Sequence, residues 1–244
     1  MANTTFFNLK IKCLRLGGNW YNSADSTLLT IAGGIINDCL STIQAMSPAS
    51  KFWLDLENSK ACTASQAYID LTDTDILEII AVYQRTTDTK LKRVDRNTWV
   101  NLVPDTTAYS GTPDLLYDAE QLLNTGVNTW RIYLFPTPAT TTTMYYDYRK
   151  NARFTADGTG ADAEYSPLPS QYDALIVEMF RTRFLNVIDI GNTSAISRAE
   201  RSEQSALSKF IPMLNSKLDE TYQLGSYRYR YPNQLTRVAA TPTP

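Results

Sequence analysis

The feature that most constrains the fold is a change in the spacing of apolar residues along the chain. From Asp25 onwards, in the segment DSTLLTIAGGIINDCLSTIQAM, apolar residues recur at steps of three and four, which is the period of an amphipathic helix. They are Leu28, Ile31, Ala32, Ile35, Cys39, Ile43 and Met46. Asp25 or Ser26 is expected to cap this helix, and Pro48 to end it. One helix cannot bury its apolar stripe alone, so other elements must pack against it.

Beyond residue 50 the period shortens to that of β-strands. Six short segments are rich in β-branched and aromatic residues and partly alternate. They are FWLDLE (52–57), AYIDLT (67–72), ILEIIAVYQR (76–85), KLKRVDRNTWVNLV (90–103), WRIYLF (130–135) and MYYDYR (144–149). We predict an antiparallel sheet, with TTDT (86–89) as a hairpin turn. Residues 109–126 are expected to form either a short helix or an irregular excursion.

The helical period returns after SPLPSQ. Residues 171–189 place six apolar side chains on one side, and Ser170 is expected to cap that helix. They are Tyr172, Leu175, Ile176, Met179, Phe180 and Leu185. A last helix is predicted from Thr193 to Leu224, and Pro212 should kink it or break it in two.

The order of elements predicts an α+β fold. The N-terminal helix and two C-terminal helices (20–48 and 168–224) should form a helical bundle. An antiparallel β lobe (51–165) is inserted between them, and together they make one domain, residues 1–224. Residues 225–244 are predicted to be an extended C-terminal arm. The pair Gly33-Gly34 is unfavourable inside a helix, so it should permit close packing or a bend.

Several classes of chemistry are excluded or disfavoured by residue content. The chain has no histidine, which removes Ser-His-Asp, Cys-His and His-metal sites. Cys13, Cys39 and Cys62 are too widely spaced for a disulfide framework or a zinc knuckle, and we interpret them as small apolar residues. We therefore expect no enzyme, no cofactor and no metal.

Three segments that contain carboxylates are candidate sites. Asp70 to Asp75 (DLTDTD) lacks the glycine and distal glutamate of a calcium loop, so a turn is favoured. DGTGAD (157–162) carries two acids, which would repel phosphate, so a connector is favoured. Asp55 and Glu57 stand two apart on one predicted strand, the minimum for a glycosidase pair, but such spacing is common by chance.

The net charge and hydropathy give further expectations. The formal net charge is -2 and the pI about 5.3, so no global basic field is present to collect phosphates. The N-terminal segment lacks the continuous apolar stretch of a signal peptide, and no run approaches the ~20 apolar residues that cross a bilayer. A cytosol-like compartment and no membrane partner are expected.

The segment from Gly225 onwards differs from the rest of the chain, because it contains three arginines and no acid. Its candidate partner-binding residues are Tyr227, Arg228, Tyr229, Arg230, Tyr231 and Pro232. The alternation of tyrosine and arginine suggests three alternatives: a solvated tail, a segment that stacks on nucleic acid, or an arm that joins another chain's sheet or groove. Tyr and Arg are enriched at interface hot spots, which favours the arm.

A family resemblance rests on four consecutive stretches. IYLFPTP (132–138), MYYDYRKNARF (144–154), an acidic glycine loop, and PLPSQYDALIVEMFRTRFL (167–185) together resemble the head-to-tail adaptor proteins, also called neck or connector proteins, of tailed bacteriophages. The residues that match the turn are Leu134, Phe135, Pro136 and Pro138; those that match the helix entry are Leu168, Pro169, Tyr172, Ala174 and Leu175. The segments RVDRNTWVNL and YSGTPDLLY and the leading helix also fit, so the resemblance covers residues 20–224.

Residues 132–149 are expected to be a hairpin of the β lobe. The TPATTTT linker and the YRYRYP segment depart from the pattern.

This resemblance implies a structural virion protein without catalysis. It implies a ring, expected to be a dodecamer, that joins the capsid portal to the tail and continues the DNA channel. The implied partners are further copies of the chain, the portal protein, and the next tail or nozzle protein. DNA is expected to pass without sequence-specific binding. The location would be the neck or tail of the virion, assembled in the host cytoplasm.

Two alternatives come from other classes. A β-rich ligand- or receptor-binding virion module would stack exposed aromatic rings on its ligand, so Trp99 or Trp130 should then be exposed. An enzyme using Asp55 and Glu57 ranks third, and an activity screen on polysaccharides would separate it from both.

Overall fold

The chain divides into two compact units, one helical and one built mainly of β-strands. A computed structural model describes residues 3–17, 25–48, 50–71, 73, 75–85, 89–103, 105, 109–124, 127–188 and 193–230. The first unit combines Met1–Trp53 with Ala152–Pro244, and the second is Leu54–Asn151. The described helices are α1 (Phe6–Lys12), α2 (Ser26–Met46), α3 (Arg96–Leu102), α4 (Asp173–Ile188) and α5 (Thr193–Arg230). The predicted α+β class, a helical bundle with an inserted β lobe, is confirmed.

Helix α1 was not predicted, because the predicted helical part began at residue 20. Its seven residues are too few to show a clear period. The Thr5 side chain caps α1 by accepting a hydrogen bond from the Asn8 backbone N–H, and Phe6, Leu9 and Lys10 are buried. A π-helical turn, Cys13–Gly17, follows directly.

Helix α2 forms as predicted. Asp25 is its N-cap, and the carboxylate accepts from the Leu28 backbone N–H at 3.0 Å. Ser47 is its C-cap, one residue before Pro48. By length and composition α2 is apolar enough to cross a membrane, with a mean hydropathy of 1.2 over its best window, contrary to the expectation that no such run exists. In the structure α2 is a core helix, since Ile36, Leu40 and Ile43 are fully buried.

The core of the helical unit draws on both parts of the chain that form it. Its largest fully buried side chains include Phe6, Trp53, Tyr172, Phe180 and Phe184. Ala152, Phe154 and Ala161 are buried in the same cluster. The predicted β lobe ran to residue 165, whereas the β unit ends at Asn151, because these apolar residues pack with the helices.

Helices α4 and α5 follow the predicted pattern with three differences. Ser170 does not cap α4; it lies in a 3-10 turn, Ser170–Tyr172, whose N-cap is Pro169. Helix α5 is assigned as continuous through Pro212, so the proline does not break it in two. It also extends to Arg230, so the first six residues of the predicted extended arm have helical backbone. Residues 231–244 lie outside the described residues.

The β unit contains ten described strands in two four-stranded sheets and one two-stranded sheet. The strands are β1 (Leu54–Cys62), β2 (Tyr68–Leu71), β3 (Ile76–Gln84), β4 (Thr89–Lys90), β5 (Lys92–Arg93), β6 (Ser110–Gly111), β7 (Leu115–Asn124), β8 (Val127–Phe135), β9 (Thr137–Pro138) and β10 (Thr142–Lys150). The first sheet has the order β1-β10-β3-β4, the second β2-β8-β7-β5, and β6 pairs with β9. Pairing is antiparallel except for β5 with β7 and β6 with β9.

Side chains from both larger sheets form one apolar core. Ile79, Val82 and Met144 from the first sheet share a buried cluster with Ile132 and Leu134 from the second. Within this core the indole N–H of Trp130 donates to the Ile76 carbonyl at 3.2 Å. A buried indole with a bonded N–H suits a tightly packed interior.

Three predictions about the β unit are wrong. Residues 90–103 are not one strand, because α3 occupies Arg96–Leu102. Residues 109–126 are neither a helix nor irregular, because they contain β6 and β7. The expected hairpin over 132–149 does not form, since β8 and β10 belong to different sheets.

Candidate interaction surfaces

The predicted partner-binding residues fall at the end of helix α5. Tyr227, Arg228, Tyr229 and Arg230 form its last described residues, with helical backbone rather than the strand-like conformation that their alternation suggested. Tyr231 and Pro232 lie outside the described residues. The role of this segment in binding remains a prediction.

A row of three tyrosines crosses the second sheet, which we call the tyrosine row: Tyr68 on β2, Tyr133 on β8 and Tyr117 on β7. Tyr133 is the direct cross-strand partner of both others. Tyr117 stacks on Tyr133 with centroids 5.9 Å apart, and Tyr68 meets Tyr133 edge to face at 6.2 Å. All three side chains are only partly buried. The apolar residues alternating with them, such as Ile132 and Leu134, face the core, so the row lies on the opposite face of the sheet.

A charged pair flanks the tyrosine row two residues further along the strands. Arg131 on β8 and Asp70 on β2 are cross-strand partners joined by two hydrogen bonds of 2.7 and 2.8 Å. The Arg131 guanidinium also lies 3.9 Å from the ring centroid of Tyr68. Hydrogen bonding to Asp70, followed by that to the Tyr133 hydroxyl, raises the pKa of Arg131, although partial burial opposes the shift. Arg131 is thus held close to the Tyr68 ring by its two hydrogen bonds with Asp70.

Helix α3 packs against the tyrosine row through its Trp99 side chain, nearest to Tyr117. Its Trp99 lies 6.0 Å from Tyr117 and 6.4 Å from Tyr133 and Phe135, measured between ring centroids. Tyr109, which is 64% exposed, extends the aromatic surface through a contact with Phe135. Because Trp99 and Trp130 are each only 7% exposed, the feature required by the ligand-binding alternative is absent.

The first sheet carries a second polar and aromatic cluster around Asp147. This carboxylate is 7% exposed and accepts hydrogen bonds from the Glu57 backbone N–H and the Tyr83 hydroxyl. Tyr83 stacks on Tyr145, and the Arg85 guanidinium lies 4.3 Å from the Tyr145 centroid. Asp147 therefore fixes a bulge in β1 from its neighbouring strand.

That bulge separates the two carboxylates considered as a catalytic pair. The pairing of β1 with β10 shifts register between Asp55 and Asn58, and Glu57 has φ 63°. Glu57 pairs with Arg85 at 3.0 Å, whereas Asp55 accepts from the Asn58 side chain. The simple two-residue alternation is broken here, and each acid has its own structural partner.

Each aspartate of DLTDTD binds a different side chain, so the three carboxylates do not converge on one site. Asp70 binds Arg131, Asp73 accepts from the Tyr146 hydroxyl at 2.7 Å, and Asp75 accepts from the Tyr148 hydroxyl at 3.2 Å. Burial is the main cause that raises the pKa of both tyrosines, and the nearby aspartates add to it. Across the described part of the chain, no group of three or more Asp, Glu, Cys or His is placed to hold a metal ion.

The acidic loop 157–162 is packed onto the helical unit. The Asp157 carboxylate accepts from the Asn37 amide at 2.6 Å. The ammonium group of Lys10 donates to the Gly158 carbonyl at 2.7 Å and to Asp162 at 2.8 Å. Lys10 is fully buried and also lies 4.0 Å from the Phe6 ring centroid. The loop is therefore a connector that is held against the helical unit by Asn37 and Lys10.

The three cysteines are free, buried thiols, as predicted. Burial is the largest cause in each case: it raises the pKa of Cys39 to about 12, and raises that of Cys13 and Cys62. Because the thiolate is the reactive form, these side chains are poor nucleophiles at neutral pH.

An open groove of about 630 Å³ lies between helices α4 and α5. Its lining is mainly polar: Thr182, Ser197, Glu200, Arg201, Glu203 and Gln204. Thr182 hydrogen-bonds to its own helix through the Glu178 carbonyl. Such a lining suits a solvated contact surface better than an apolar ligand pocket.

These features define an α+β protein whose distinctive chemistry lies in contact surfaces built from tyrosine, arginine and carboxylate side chains. The family model described as SU10 adaptor protein matches residues 13–236, which is most of the chain, all of the β unit and most of the helical unit. The chain therefore belongs to this family of bacteriophage adaptor proteins, and it is a virion-associated structural protein. No curated protein with a similar sequence was found. The resemblance to phage adaptors is confirmed at the level of the family.

Proposed function

We propose that the chain forms a ring that joins the capsid portal to the tail and continues the DNA channel. The observation that carries the proposal is the adaptor family match over residues 13–236. Twelve copies are expected from the resemblance to neck and connector proteins. The portal protein and the next tail or nozzle protein are the proposed partners, and assembly takes place in the host cytoplasm.

A closed ring needs two different complementary patches on each copy, because its contacts are head-to-tail. The chain offers several surfaces of suitable chemistry, among them the tyrosine row with Arg131 and the basic segment 225–244. Tyrosine and arginine are the residue types that most often dominate interface energetics. An obligate contact of this kind is expected to bury on the order of 2,000 Å² or more.

Helix α5 supports a role in assembly through its length. It has 38 residues, so it extends about 57 Å at the usual rise per residue, whereas α4 has 16 residues. Among its described side chains, the buried apolar ones are Ala199 and Leu214, and the partly buried Phe210 packs against the core. Much of its described surface is therefore available for contact with a partner.

The charge of the chain is compatible with a channel through which DNA moves. Each phosphate neutralised by a basic side chain strengthens DNA binding and would hinder sliding. A chain with net charge -2 lacks a global field of that kind. Passage without sequence-specific binding is consistent with this balance.

We assign the chain no catalytic role. Asp55 and Glu57, the candidate carboxylates for glycoside hydrolysis, have separate partners, and Glu57 lies within the register shift that follows Asp55. A polysaccharide hydrolysis assay comparing the natural chain with Glu57→Gln tests this. Activity that the substitution abolished would contradict the assignment.

Negative-stain electron microscopy tests the ring directly. The purified chain is imaged alone and after mixing with purified portal rings, and portal rings alone provide the baseline. We expect either free rings of the chain or an added layer of density on one end of the portal. A chain that stays monomeric by sedimentation and adds no density to the portal would overturn the proposal.

A further inference from the structure

We propose that one exposed side of helix α5, which we call the basic face, contacts the phosphate backbone of double-stranded DNA. Its cations are Arg198, Arg201 and Lys209. The inference deepens the proposed DNA channel and rests on it, because the channel is what would bring DNA to this helix. Three observations carry it: the spacing of the face along the helix, its charge, and the hydrogen-bonding groups that surround its cations.

The basic face is a continuous exposed stripe along α5. Its members are separated by steps of four and three residues, the spacing that places side chains on one side of a helix. They are Ser194, Arg198, Arg201, Ser205, Ser208, Lys209 and Pro212, and all seven are exposed. At 1.5 Å per residue the stripe is about 27 Å long. Leu207 and Leu214 pack with the core from the other side of the helix, so the stripe faces away from that core.

The basic face carries three positive charges and no carboxylate. The two acids among the described side chains of α5 are Glu200 and Glu203. On a helix that turns 100° per residue, Glu200 lies about 80° and Glu203 about 120° from the nearest member of the stripe. The chain as a whole has a net charge of -2, so the stripe is a local region of the opposite sign. A surface of this charge attracts a polyanion.

The two arginines are held against the helix in a way that suits phosphate. The Nε–H of Arg198 donates to the Ser194 carbonyl, and that of Arg201 donates to the Ser197 carbonyl, each at 3.2 Å. Among the described residues, neither guanidinium forms an ion pair. Their terminal NH2 groups therefore remain available to an anion, and arginine binds phosphate oxygens through such groups.

The uncharged residues of the basic face favour DNA over a protein partner. Apart from Pro212, every side chain of the stripe ends in a hydrogen-bond donor. Serine hydroxyls are frequent donors to DNA phosphates, and the Ser208 hydroxyl, which donates to the Ser205 carbonyl at 2.9 Å, can rotate to do the same. Protein interfaces, by contrast, have an apolar or aromatic centre. The stripe offers no such centre, so phosphate is the ligand that its chemistry fits.

Contacts of this kind agree with the passage of DNA of any sequence. Hydrogen bonds and ion pairs to phosphate position a duplex but do not read its bases. Each neutralised phosphate strengthens binding, and added salt weakens it. The basic face would therefore slow the movement of DNA without selecting its sequence, and this resistance would decrease as the salt concentration rises.

Salt-dependent DNA binding by the full chain tests the proposal. A fluorescent duplex of arbitrary sequence is titrated with the chain, and its anisotropy is measured from about 20 to 200 mM NaCl, the range in which phosphate contacts lose affinity. The test variant combines Arg198→Gln, Arg201→Gln and Lys209→Gln. Each lost phosphate contact reduces the slope of log K against log salt by about 0.9, so we expect the slope to become less negative by about 2.7.

A matched variant separates the basic face from the net charge of the chain. Lys90→Gln, Lys92→Gln and Arg96→Gln combined remove the same three charges from exposed positions of the β unit and should leave the slope unchanged. Circular dichroism checks that both variants are folded. Residues 225–244 are present in every chain, so any contribution from their arginines cancels in the comparison. Equal changes in slope for the two variants would overturn the basic face as the contact.

The remaining outcomes also decide the proposal. A natural chain that binds no DNA at the lowest salt concentration would overturn it. So would a test variant that binds DNA normally but no longer co-sediments with portal rings, because the face would then be a protein contact. Negative stain of the same samples reports ring formation separately. Rings that form while the slope ignores the basic face would leave the adaptor function standing and remove only this inference.

Discussion

Gly33 and its neighbours form the contact on which the acidic loop rests. A Cβ atom at Gly33 would lie 1.9 Å from the Asp157 carbonyl oxygen, which is far inside van der Waals contact. Asn37, one helical turn later, accepts a hydrogen bond from the Phe154 backbone N–H and donates to the Asp157 carboxylate. The bare backbone at Gly33 thus allows the loop to approach close enough for Asn37 to bind it.

The two adjacent glycines give a matched pair of substitutions. Gly33→Ala should destabilise the chain by about 1–3 kcal/mol, because the added methyl group forces the backbone of Asp157 away. Gly34→Ala places its Cβ 3.8 Å from the nearest Asp157 atom, an ordinary contact, and should raise stability by up to ~1 kcal/mol. Urea unfolding followed by circular dichroism measures both. Equal midpoints for the two variants would contradict the close contact.

The buried Lys10 predicts an asymmetric response to loss of either partner. Asp162→Ala leaves a fully buried ammonium group without its carboxylate and should cost about 3–5 kcal/mol. Lys10→Met removes the buried charge, and the partly exposed Asp162 can then bind water, so the loss should be smaller. Thermal unfolding of the two variants in the same buffer makes the comparison. A larger loss in Lys10→Met would be the opposite of this expectation.

Residue-scale predictions from the sequence were correct where the property is local. The cap at Asp25 and the unusual glycine pair could be identified, because both depend on neighbouring residues. Asp157, the partner of Gly33, lies far along the chain, and nothing in the local pattern indicates it. Lys10 was missed for the same reason: its burial is stabilised by Asp162 and the Gly158 carbonyl, which only the folded chain brings together.

At the scale of elements, helix α3 shows how a cap overrides β-propensity. The residues Thr98, Trp99 and Val100 favour strands, and they led to a predicted strand over 90–103. Asp95 accepts hydrogen bonds from the backbone N–H and the hydroxyl of Thr98, which starts a helix at Arg96. The helix then buries Trp99 against Tyr117 and Phe135. The Asp95 cap and the aromatic contacts of Trp99 therefore outweigh the β-propensity of these residues.

The cap gives a prediction with a defined pH window. Hydrogen bonds from Thr98 are the main cause that lowers the pKa of Asp95 below its usual 3.8. Because the pKa of Asp95 is lower in the folded chain than in the unfolded chain, the cap stabilises the helix at pH values above the unfolded pKa. This stabilisation is lost as the pH falls through the folded pKa. The protection of the α3 amides, which compares the observed exchange rate with the intrinsic rate at the same pH, should therefore fall below about pH 4 in the natural chain.

Two substitutions at Asp95 separate capping from charge. Asp95→Ala should speed exchange of the α3 amides at every pH, because no side-chain acceptor remains. Asp95→Asn keeps an acceptor that does not titrate, so it should remove the pH dependence of α3 protection while retaining slow exchange. Identical pH profiles for Asp95→Asn and the natural chain would show that another group controls the helix.

Strands β8 and β10 were wrongly joined because sequence neighbours often pair. Strand β8 ends at Phe135, where the predicted strand over 130–135 also ended. Instead of a turn, the segment that follows forms the short strand β9 beside β6 and then enters the first sheet as β10. The true partners of β8 are β2 and β7, and the mixed sequence of β7 had no clear strand period. The alternation of apolar and polar residues predicts that a strand forms, but it does not determine which strands pair.

At the scale of the whole molecule, the fold class followed from the order of periods along the chain. Helix, strands and helices in that order require the flanking helices to share a core, which the buried cluster of the helical unit confirms. The resemblance added the family, which composition and spacing alone did not reveal. The tyrosine row was not predicted, because its members are on three strands, but the tyrosine content of each strand was a usable signal.

Removal of residues 225–244 tests the proposed role of the arm. The shortened chain should keep its folded circular dichroism signal, because the two cores are formed by earlier residues. Its binding to portal rings, measured by co-sedimentation, should fall at least about tenfold, as expected for loss of hot-spot residues. Arg198→Ala, which alters an exposed arginine on the same helix, is the matched control and should bind normally. A shortened chain that joins portal rings like the full one would refute the role of the arm.

The β unit begins and ends at adjacent positions. Leu54, its first residue, is the cross-strand partner of Arg149, and the Asn151 backbone N–H is bonded to Asp75 at 2.6 Å. The two junctions are therefore only about one strand spacing apart. A gene segment that encodes residues 54–151 would therefore transfer as one structural unit between related adaptors, and the tyrosine row would move with it.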